Sequence, residues 1–408
     1  MPADGALRRG TPAYRRLTLA MLFAGFSTFS LLYAVQPLLP LFARDYGLSA
    51  EGASLAVSLA TGPLAIGILF AGILSDRIGR RPLMVCAMFA AGALTLAAAV
   101  APGWTALLAL RLVTGVALAG VPAVAMAYVA EEVDAASVGA AMGLYIAGSA
   151  IGGMGGRLIA SLVADAGGWR WALGSVGLAG VAMAEAFRRL APPSRRFVAA
   201  AATNPLRGIA TLFGDAALPL IYAEAFLLMG VFVTVYNYAG FRLLAPPYAL
   251  SQTAVGAVFL LYILGSASSA LFGAFAGRVG RRRVFWLPIV LLIVGVGVTA
   301  AQPLALVVLG IALVTVGFFG AHSIASAWVG RRALGNRGQG ASLYLFFYYM
   351  GSSVLGSAGG FAWTHAGWPG VAAFCAILGA IALVIGLWLA RIPPLPLPEA
   401  EDVRPIEA

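Results

Sequence analysis

The sequence predicts an all-α polytopic membrane protein with twelve transmembrane helices in two pseudo-symmetric six-helix bundles. Three observations predict it. The 408 residues are 61% hydrophobic and 10% charged, with a mean hydropathy of +0.94. A water-soluble fold needs a polar exterior that this composition cannot supply. Apolar runs of roughly 20 residues, the length that spans a bilayer, recur about a dozen times between short polar connections. The stretch Gly72–Arg81, GILSDRIGRR, returns 201 residues later as Gly273–Arg282, GAFAGRVGRR. A repeat at half the chain length implies two homologous halves.

Residues 1–16 are polar and carry Arg8, Arg9, Arg15 and Arg16. The apolar run that follows is long enough to span and stay, unlike a cleaved signal peptide. Spans are expected at Leu17–Phe42, Glu51–Leu74, Leu83–Val100, Trp104–Val129, Ser137–Leu162 and Trp169–Phe187. A second six follow at Leu218–Leu243, Ser251–Phe275, Val284–Ala301, Leu304–Val329, Ala341–Trp363 and Trp368–Leu389. Helices are required because backbone groups in hydrocarbon must be paired within their own segment. Residues 1–190 therefore read as one bundle and 217–392 as the other. Between them, 191–216 is a polar linker with Pro192, Pro193 and Pro205, part of it suited to an amphipathic surface helix. The tail 393–408, with PPLPLPEAED, has the composition of a disordered segment.

Charge sets the topology. All 26 basic residues are arginine, and 21 of them fall in alternate connections and the two ends, against three in the remaining connections, Arg44, Arg170 and Arg242. The excess marks the cytoplasmic face, so both termini are expected inside, in the cytoplasmic (inner) membrane of a bacterium. The net charge of +11 is thereby assigned to topology and not to nucleic acid. Two cysteines, Cys86 and Cys375, lie in apolar runs, and the chain has two histidines and no C-x-x-C or H-E-x-x-H pattern. No metal, no cofactor and no enzyme activity is expected. The absence of a G-x-x-x-x-G-K-[ST] motif argues against ATP as the energy source.

The halves repeat elsewhere. Gly120–Val129 matches Gly320–Val329 at an offset of 200, which sets Glu131 and Glu132 against Arg331 and Arg332 with the charge reversed. Gly152, Gly155 and Gly156 match Gly356, Gly359 and Gly360 at an offset of 204. Glycine at these places lets helices approach closely.

Four sets of residues carry candidate chemistry. In the loop stretch, Gly72 and Gly79 permit a tight turn, and Arg77, Arg80 and Arg81 hold it on the cytoplasmic face. Asp76 gains from a neighbouring helix dipole, and Arg80 can reach Glu131 or Glu132. Such a network can latch one arrangement of the bundles and be broken when they rock; an arginine cluster that only sets topology is the plainer reading. Arg111 lies within the fourth span, seven residues from Trp104; it either snorkels to the outer face or serves a function. Of the 15 acidic residues, only Glu224 lies clearly within a span. It is either a proton carrier, losing and regaining its proton as a cavity wets and closes, or a hydrogen-bonded packing acid. Tyr33, Gln36, Asn237, His322, Tyr344 and Tyr348 are polar groups in spans, which face the bundle interior, as cavity contacts or as ordinary core residues.

The pattern G-x-L-x-D-R-x-G-R-R resembles the signature between helices 2 and 3 of the major facilitator superfamily, and that resemblance implies the latch role for Gly72, Asp76, Arg77, Gly79, Arg80 and Arg81. Arg111 with Gly115 resembles the helix-4 signature R-x-x-x-G, in which the arginine is tied to proton coupling. Gly148, Ser149, Gly152 and Gly153 stand where drug:proton antiporters carry G-P-x-x-G-G, with Ser149 at the proline position. With YAVQPLLP and FFGAHSIASAW, the chain looks most like the acriflavine-sensitivity subgroup, which implies export of cationic dyes. The resemblance implies a cavity lined by helices 1, 4, 7 and 10. It implies a proton-coupled exporter (antiporter) of small amphipathic or drug-like compounds, working by alternating access as a monomer, with a small-molecule substrate, protons and the lipid bilayer as its partners. A proton-coupled importer of a sugar or organic acid remains the alternative, with a membrane sensor or intramembrane enzyme behind it.

The arginine distribution makes a direct prediction. Single cysteines placed at Arg80, Arg207 and Arg282 label with a membrane-impermeant thiol reagent from the cytoplasmic side alone, and one at Asp45 from outside. External labelling of Arg207→Cys would invert the arrangement.

Overall fold

The computed structural model describes residues 6–194, 205–333 and 335–393. Among them the spans are α1 (Pro12–Tyr46), α2 (Ala50–Ile78), α3 (Arg80–Ala99), α4 (Trp104–Glu132) and α5 (Val138–Gly167), followed by α6 (Trp169–Leu190). The second half holds α7 (Leu218–Leu244), α8 (Gln252–Val279), α9 (Arg281–Thr299) and α10 (Leu304–Arg332). Arg337–Leu389 is then a single run of 53 residues broken at Gly367, whose φ of 58° and ψ of −145° divide it into α11 (337–366) and α12 (368–389). Among the described residues, ten runs are long and apolar enough to cross a membrane. Dividing the broken run and adding α6, whose Arg170, Arg188 and Arg189 lower its hydropathy, makes twelve. Large apolar side chains such as Phe70, Ile146, Leu271 and Val384 stand exposed on the outer surface, as a lipid-facing wall requires and a soluble protein rarely allows. A short helix, Pro205–Phe213, lies within the expected linker. Residues 195–204 of that linker, and the expected disordered tail from 394 on, lie outside the described residues.

Close helix crossings are made by small residues, as membrane packing requires. A Cβ at Gly148, Gly152 or Gly156 of α5 would fall on the backbone of Leu22, Phe26 or Ser30 of α1. In the second half a Cβ at Gly351 of α11 would fall on the backbone of Phe226 of α7. Phe26 with Gly152 and Phe226 with Gly351 are thus the equivalent contacts, at offsets of 200 and 199. The expected match of Gly152 with Gly356 is displaced by about one turn, because glycines recurring at helical spacing align almost as well one turn along. One contact is mirrored: Gly156 meets Ser30 in the first half, whereas Leu355 meets Gly230 in the second. The bulk has moved to the opposite helix.

Two helices are broken within their spans, each towards its arginine-poor end. The α-helical part of α1 ends at Tyr33, a 3₁₀ turn covers Gln36–Leu38, and helix resumes at Leu39. Pro37 and Pro40 lack the N–H that would continue the ladder. In α8 a 3₁₀ segment, Val258–Leu261, separates Gln252–Ala257 from Tyr262–Val279.

The repeated loop stretch has one structural task that both halves keep. Arg81 donates from Nε to the Ala191 carbonyl at 2.9 Å and from Nη2 to the Arg188 carbonyl at 2.7 Å, at the end of α6. Arg282 donates to the Ile392 carbonyl at 2.8 Å, just past the end of α12. Each arginine satisfies carbonyls that a helix end leaves open. Gly79 and Gly280, with φ of 91° and 106°, make the turn before each arginine, a conformation that side-chain-bearing residues resist.

Arg111 and Gly115 explain each other. Arg111 Nε donates to the Ala56 carbonyl of α2 at 2.9 Å, and one turn on, a Cβ at Gly115 would fall on the Ala60 backbone. The pair fastens α4 to α2 at two levels. Gly115→Ala is expected to cost about 1–3 kcal/mol by overpacking, whereas Gly143→Ala, with open space around it, gains about 0.5–1 kcal/mol. Thermal unfolding of the two variants in the same detergent checks this, and equal melting temperatures would disprove the close α2–α4 crossing.

Candidate functional site

The two bundles meet along a seam whose hydrogen bonds run through the arginine-poor half of the spans to that face. Ser58 and Ser357 hydroxyls lie 2.6 Å apart, and Ser353 donates to the Ser58 carbonyl at 2.9 Å, joining α2 to α11. Gln252 at the start of α8 donates to the Pro37 carbonyl of α1 at 2.6 Å. Thr253 donates its hydroxyl to Asp165 of α5 at 2.6 Å.

At the centre of the seam the breaks in α1 and α8 face α5. Arg157 of α5 is 2% exposed. Its Nε donates to Gln36 Oε1 at 2.7 Å and its Nη1 to the Gly153 carbonyl at 2.5 Å. Gln36 Nε2 in turn donates to Asn237 Oδ1 of α7 at 2.8 Å, and Asn237 Nδ2 approaches the Gly356 carbonyl of α11 at 3.4 Å. One polar relay therefore crosses from the first bundle to the second. Three rings stand around the guanidinium: Tyr33 of α1 at 4.5 Å, and Phe259 and Tyr262 of α8 at 5.0 Å each. The Tyr33 hydroxyl lies 3.5 Å from Ser352 of α11.

Three of the expected cavity residues thus gather at Arg157, Tyr33 and Gln36 directly and Asn237 through Gln36, although Arg157 is not among the residues that the sequence singles out. Arg157 carries the same signal as Arg111, a costly charge away from a helix end, and that cost could have singled it out. The other three gather in the second bundle. Tyr344 and His322 Nδ1 are 2.9 Å apart, and the Tyr348 ring lies 5.0 Å from that of His322. Phe318 links the groups, stacking on Phe232 at 4.0 Å and lying 5.9 Å from His322. In the helix-5 element, Gly148 and Gly152 pack on α1 and Gly153 supplies the carbonyl to Arg157. Ser149 turns back on its own helix, donating to Tyr145 at 2.9 Å.

Arg111 does not snorkel. It is 1% exposed, and beyond Ala56 it donates to the Leu31 and Leu32 carbonyls of α1 at 3.0 and 2.5 Å. Those carbonyls belong to the last turn before the break. Glu224 is fully buried, and neither of its oxygens has a hydrogen-bond partner. It sits between α7 and α12, with Gly386 beside it and Ile289 and Phe285 of α9 closing the space.

On the arginine-rich face, Asp76 of α2 pairs with Arg80 of α3 at 2.6 Å, and Arg80 pairs with Glu131 of α4 at 2.9 Å. Arg80 also donates to Ser75 Oγ. The triad ties three helices of the first bundle. Arg77 is exposed and Gly72 partly so, while Glu132 is buried and its carbonyl accepts from the Leu7 amide at 2.8 Å. The second bundle answers with a bidentate pair, Arg332 to Asp215, at 2.8 Å for both bonds. Burial raises the Asp215 carboxyl, but Arg332 and the amides of Ala217 and Leu218 outweigh it and hold the group below the usual carboxylate range. The carboxylate caps the start of α7.

The sequence profile of the Major Facilitator Superfamily matches residues 21–250 and 227–408. The inner membrane transport protein YnfM of Escherichia coli (strain K12) is 44% identical over 397 residues, covering 94% of this chain and 93% of its own. An uncharacterized MFS-type transporter, YybF of Bacillus subtilis (strain 168), is 42% identical over 392 residues, covering 96% and 97%. Among solved structures, a bacterial homolog of the human lysosomal transporter Spinster, in an inward-facing and unoccupied conformation, overlays with a TM-score of 0.75 at 14% identity, covering 94% of this chain and 98% of that one. Twelve helices in two bundles, a repeat-related loop stretch and a polar seam between the halves agree with this match over nearly the whole chain: it belongs to the major facilitator superfamily and is a secondary transporter, not an enzyme.

Proposed function

We propose that the protein is a proton-coupled exporter of small amphipathic compounds, which exchanges substrate for protons by alternating access. The observation that carries this reading is Glu224, a fully buried carboxyl with no hydrogen-bond partner. An acid buried without a partner is costly to keep, and carrying protons across the membrane is a function that would keep it there. α7 bears both Glu224 and Asn237, 13 residues apart, or about 20 Å along the helix. A tilt of this one helix moves the acid and the seam relay together, which is how protonation would act on the substrate site. Arg111, held by three backbone carbonyls, acts in this scheme as framework, which leaves proton exchange to Glu224.

Alternating access also needs contacts that are made in one state and lost in the other. The seam bonds on the arginine-poor face, which the charge distribution assigns to the outside, are one such set. The Asp76–Arg80–Glu131 triad is suited to be the other, holding the inner ends of α2, α3 and α4 as a unit when the bundles rock.

Glu224→Gln is expected to fold and bind substrate but to lose accumulation against a gradient. Transport into everted vesicles with an imposed pH difference checks it, and intact pH-driven transport would refute the role. The same assay reports direction: proton-driven loss of substrate from everted vesicles would make the protein an importer. Asp76→Asn is expected to leave expression normal and slow transport by up to about five-fold, since a partly exposed ion pair is worth about 0–1 kcal/mol. Wild-type rates would reduce the loop stretch to helix capping and topology.

A further inference from the structure

We propose that Arg157 is the anion-recognition residue of the transport site, and that the substrate is a small aromatic compound bearing a carboxylate. This rests on the alternating-access reading above and names its substrate class. The first observation is an uncompensated charge. Arg157 is buried, yet no acid among the described residues forms an ion pair with it. Its polar partners, Gln36, the Gly153 carbonyl and the nearby Tyr262 side chain, are neutral. A guanidinium does not release its proton, so the charge is permanent, and an unpaired cation in the interior is costly. Ring faces offset part of that cost; a visiting anion offsets the rest. The other buried arginine differs in degree and in place: Arg111 turns all three nitrogens to backbone carbonyls, whereas two nitrogens of Arg157 donate to Gln36 and the Gly153 carbonyl and its face is left to aromatic rings.

The second observation is place. Arg157 lies at the seam, its rings drawn from both bundles: Tyr33 from the first, Phe259 and Tyr262 from the second. Both helices that bring those rings are broken beside it, at Gln36–Leu38 and Val258–Leu261, and α5 touches both 3₁₀ segments. Discontinuous helices converging where two repeats meet are the usual makings of a transporter's binding site. Aromatic walls with one fixed charge suit a flat apolar ligand with a charged end.

The relay ties binding to movement. A carboxylate engages the guanidinium best through two parallel hydrogen bonds. To do so at Nε it displaces Gln36 Oε1, and Gln36 then loses the anchor that orients its Nε2 toward Asn237. One of the bonds that join the bundles is loosened when substrate arrives. The same charge repels cationic dyes, so the substrate class implied by the acriflavine-sensitivity resemblance is the one this site disfavours.

Equilibrium binding to the full-length protein in detergent tests this, with benzoate, 1-naphthoate, the neutral benzamide and the cationic benzyltrimethylammonium as probes. At least one carboxylate is expected to bind at least about ten-fold more tightly than benzamide and the cation. Arg157→Gln is expected to lose that preference and Arg157→Lys to keep part of it, with benzamide binding unchanged. The proposal fails if neither carboxylate binds the wild type, if the cation binds as tightly, or if Arg157→Gln leaves carboxylate affinity intact. Should Arg157→Gln not fold, the wild-type ranking and Arg157→Lys decide it. No proton gradient is present, so failure of the Glu224 coupling reading leaves this result untouched, and the converse also holds.

Discussion

The structure depends on how the carbonyls at the break in α1 are satisfied. A helix that stops inside hydrocarbon leaves its last carbonyls without helical partners, and no water is there to take them. Ser30 still receives the Ala34 amide, but Leu31 and Leu32 turn to Arg111. The guanidinium's third bond, to Ala56, brings α2 to the same point, and Gly115 lets α4 come close enough to deliver it. Because the break is held this way, Gln36 sits on a 3₁₀ turn and can face Arg157 and Asn237 together. The arginine that looks like a buried liability is the reason α1 can bend where the two bundles meet.

The halves share what the fold needs and differ in what the chemistry needs. Arginines close the ends of α6 and α12 from matching positions. The ends of α3 and α9 are also closed by arginines, Arg170 to Ala99 and Ala101, and Arg242 to Thr299 and Ala301, though from non-equivalent helices. Each of those arginines lies over a tryptophan, Arg170 over Trp169 at 4.4 Å and Arg242 over Trp368 at 5.0 Å. Open carbonyls at a membrane face recur in both halves, and each half found an arginine for them. The seam relay has no such symmetry. At the offset of 199 set by Gly152 and Gly351, Arg157 corresponds to Gly356, the residue at the relay's other end. Charge sits on one side of the pseudo-axis only.

Much of this was legible in the sequence, and the boundary is physical. Hydropathy counts apolar residues along a span, so the helices and the lone acid Glu224 could be read directly. The Arg80–Glu131 contact was also within reach, because both residues lie at helix ends on the same face, where topology alone brings them near. The role of Arg157 was not. Knowing that a charge lies within a span does not say toward which neighbour it points, and that direction depends on helix crossings made by glycines. The glycines themselves misled by a turn, since Gly152–Gly156 and Gly356–Gly360 match by type while Gly152 and Gly351 match by contact. The 3₁₀ segment of α8 left no mark, as Val258–Leu261 is as apolar as its surroundings; in α1, Pro37 and Pro40 were the visible trace.

The mirrored contact, Gly156 on Ser30 in one half and Leu355 on Gly230 in the other, bears on how the halves diverged. Grafting α11 alone in place of α5 would press a leucine onto Ser30, and the reverse graft would leave glycine facing glycine across a gap. The first is overpacked and the second hollow, and cores tolerate neither well. The unit that can be exchanged or drift is therefore the helix pair and not the single helix.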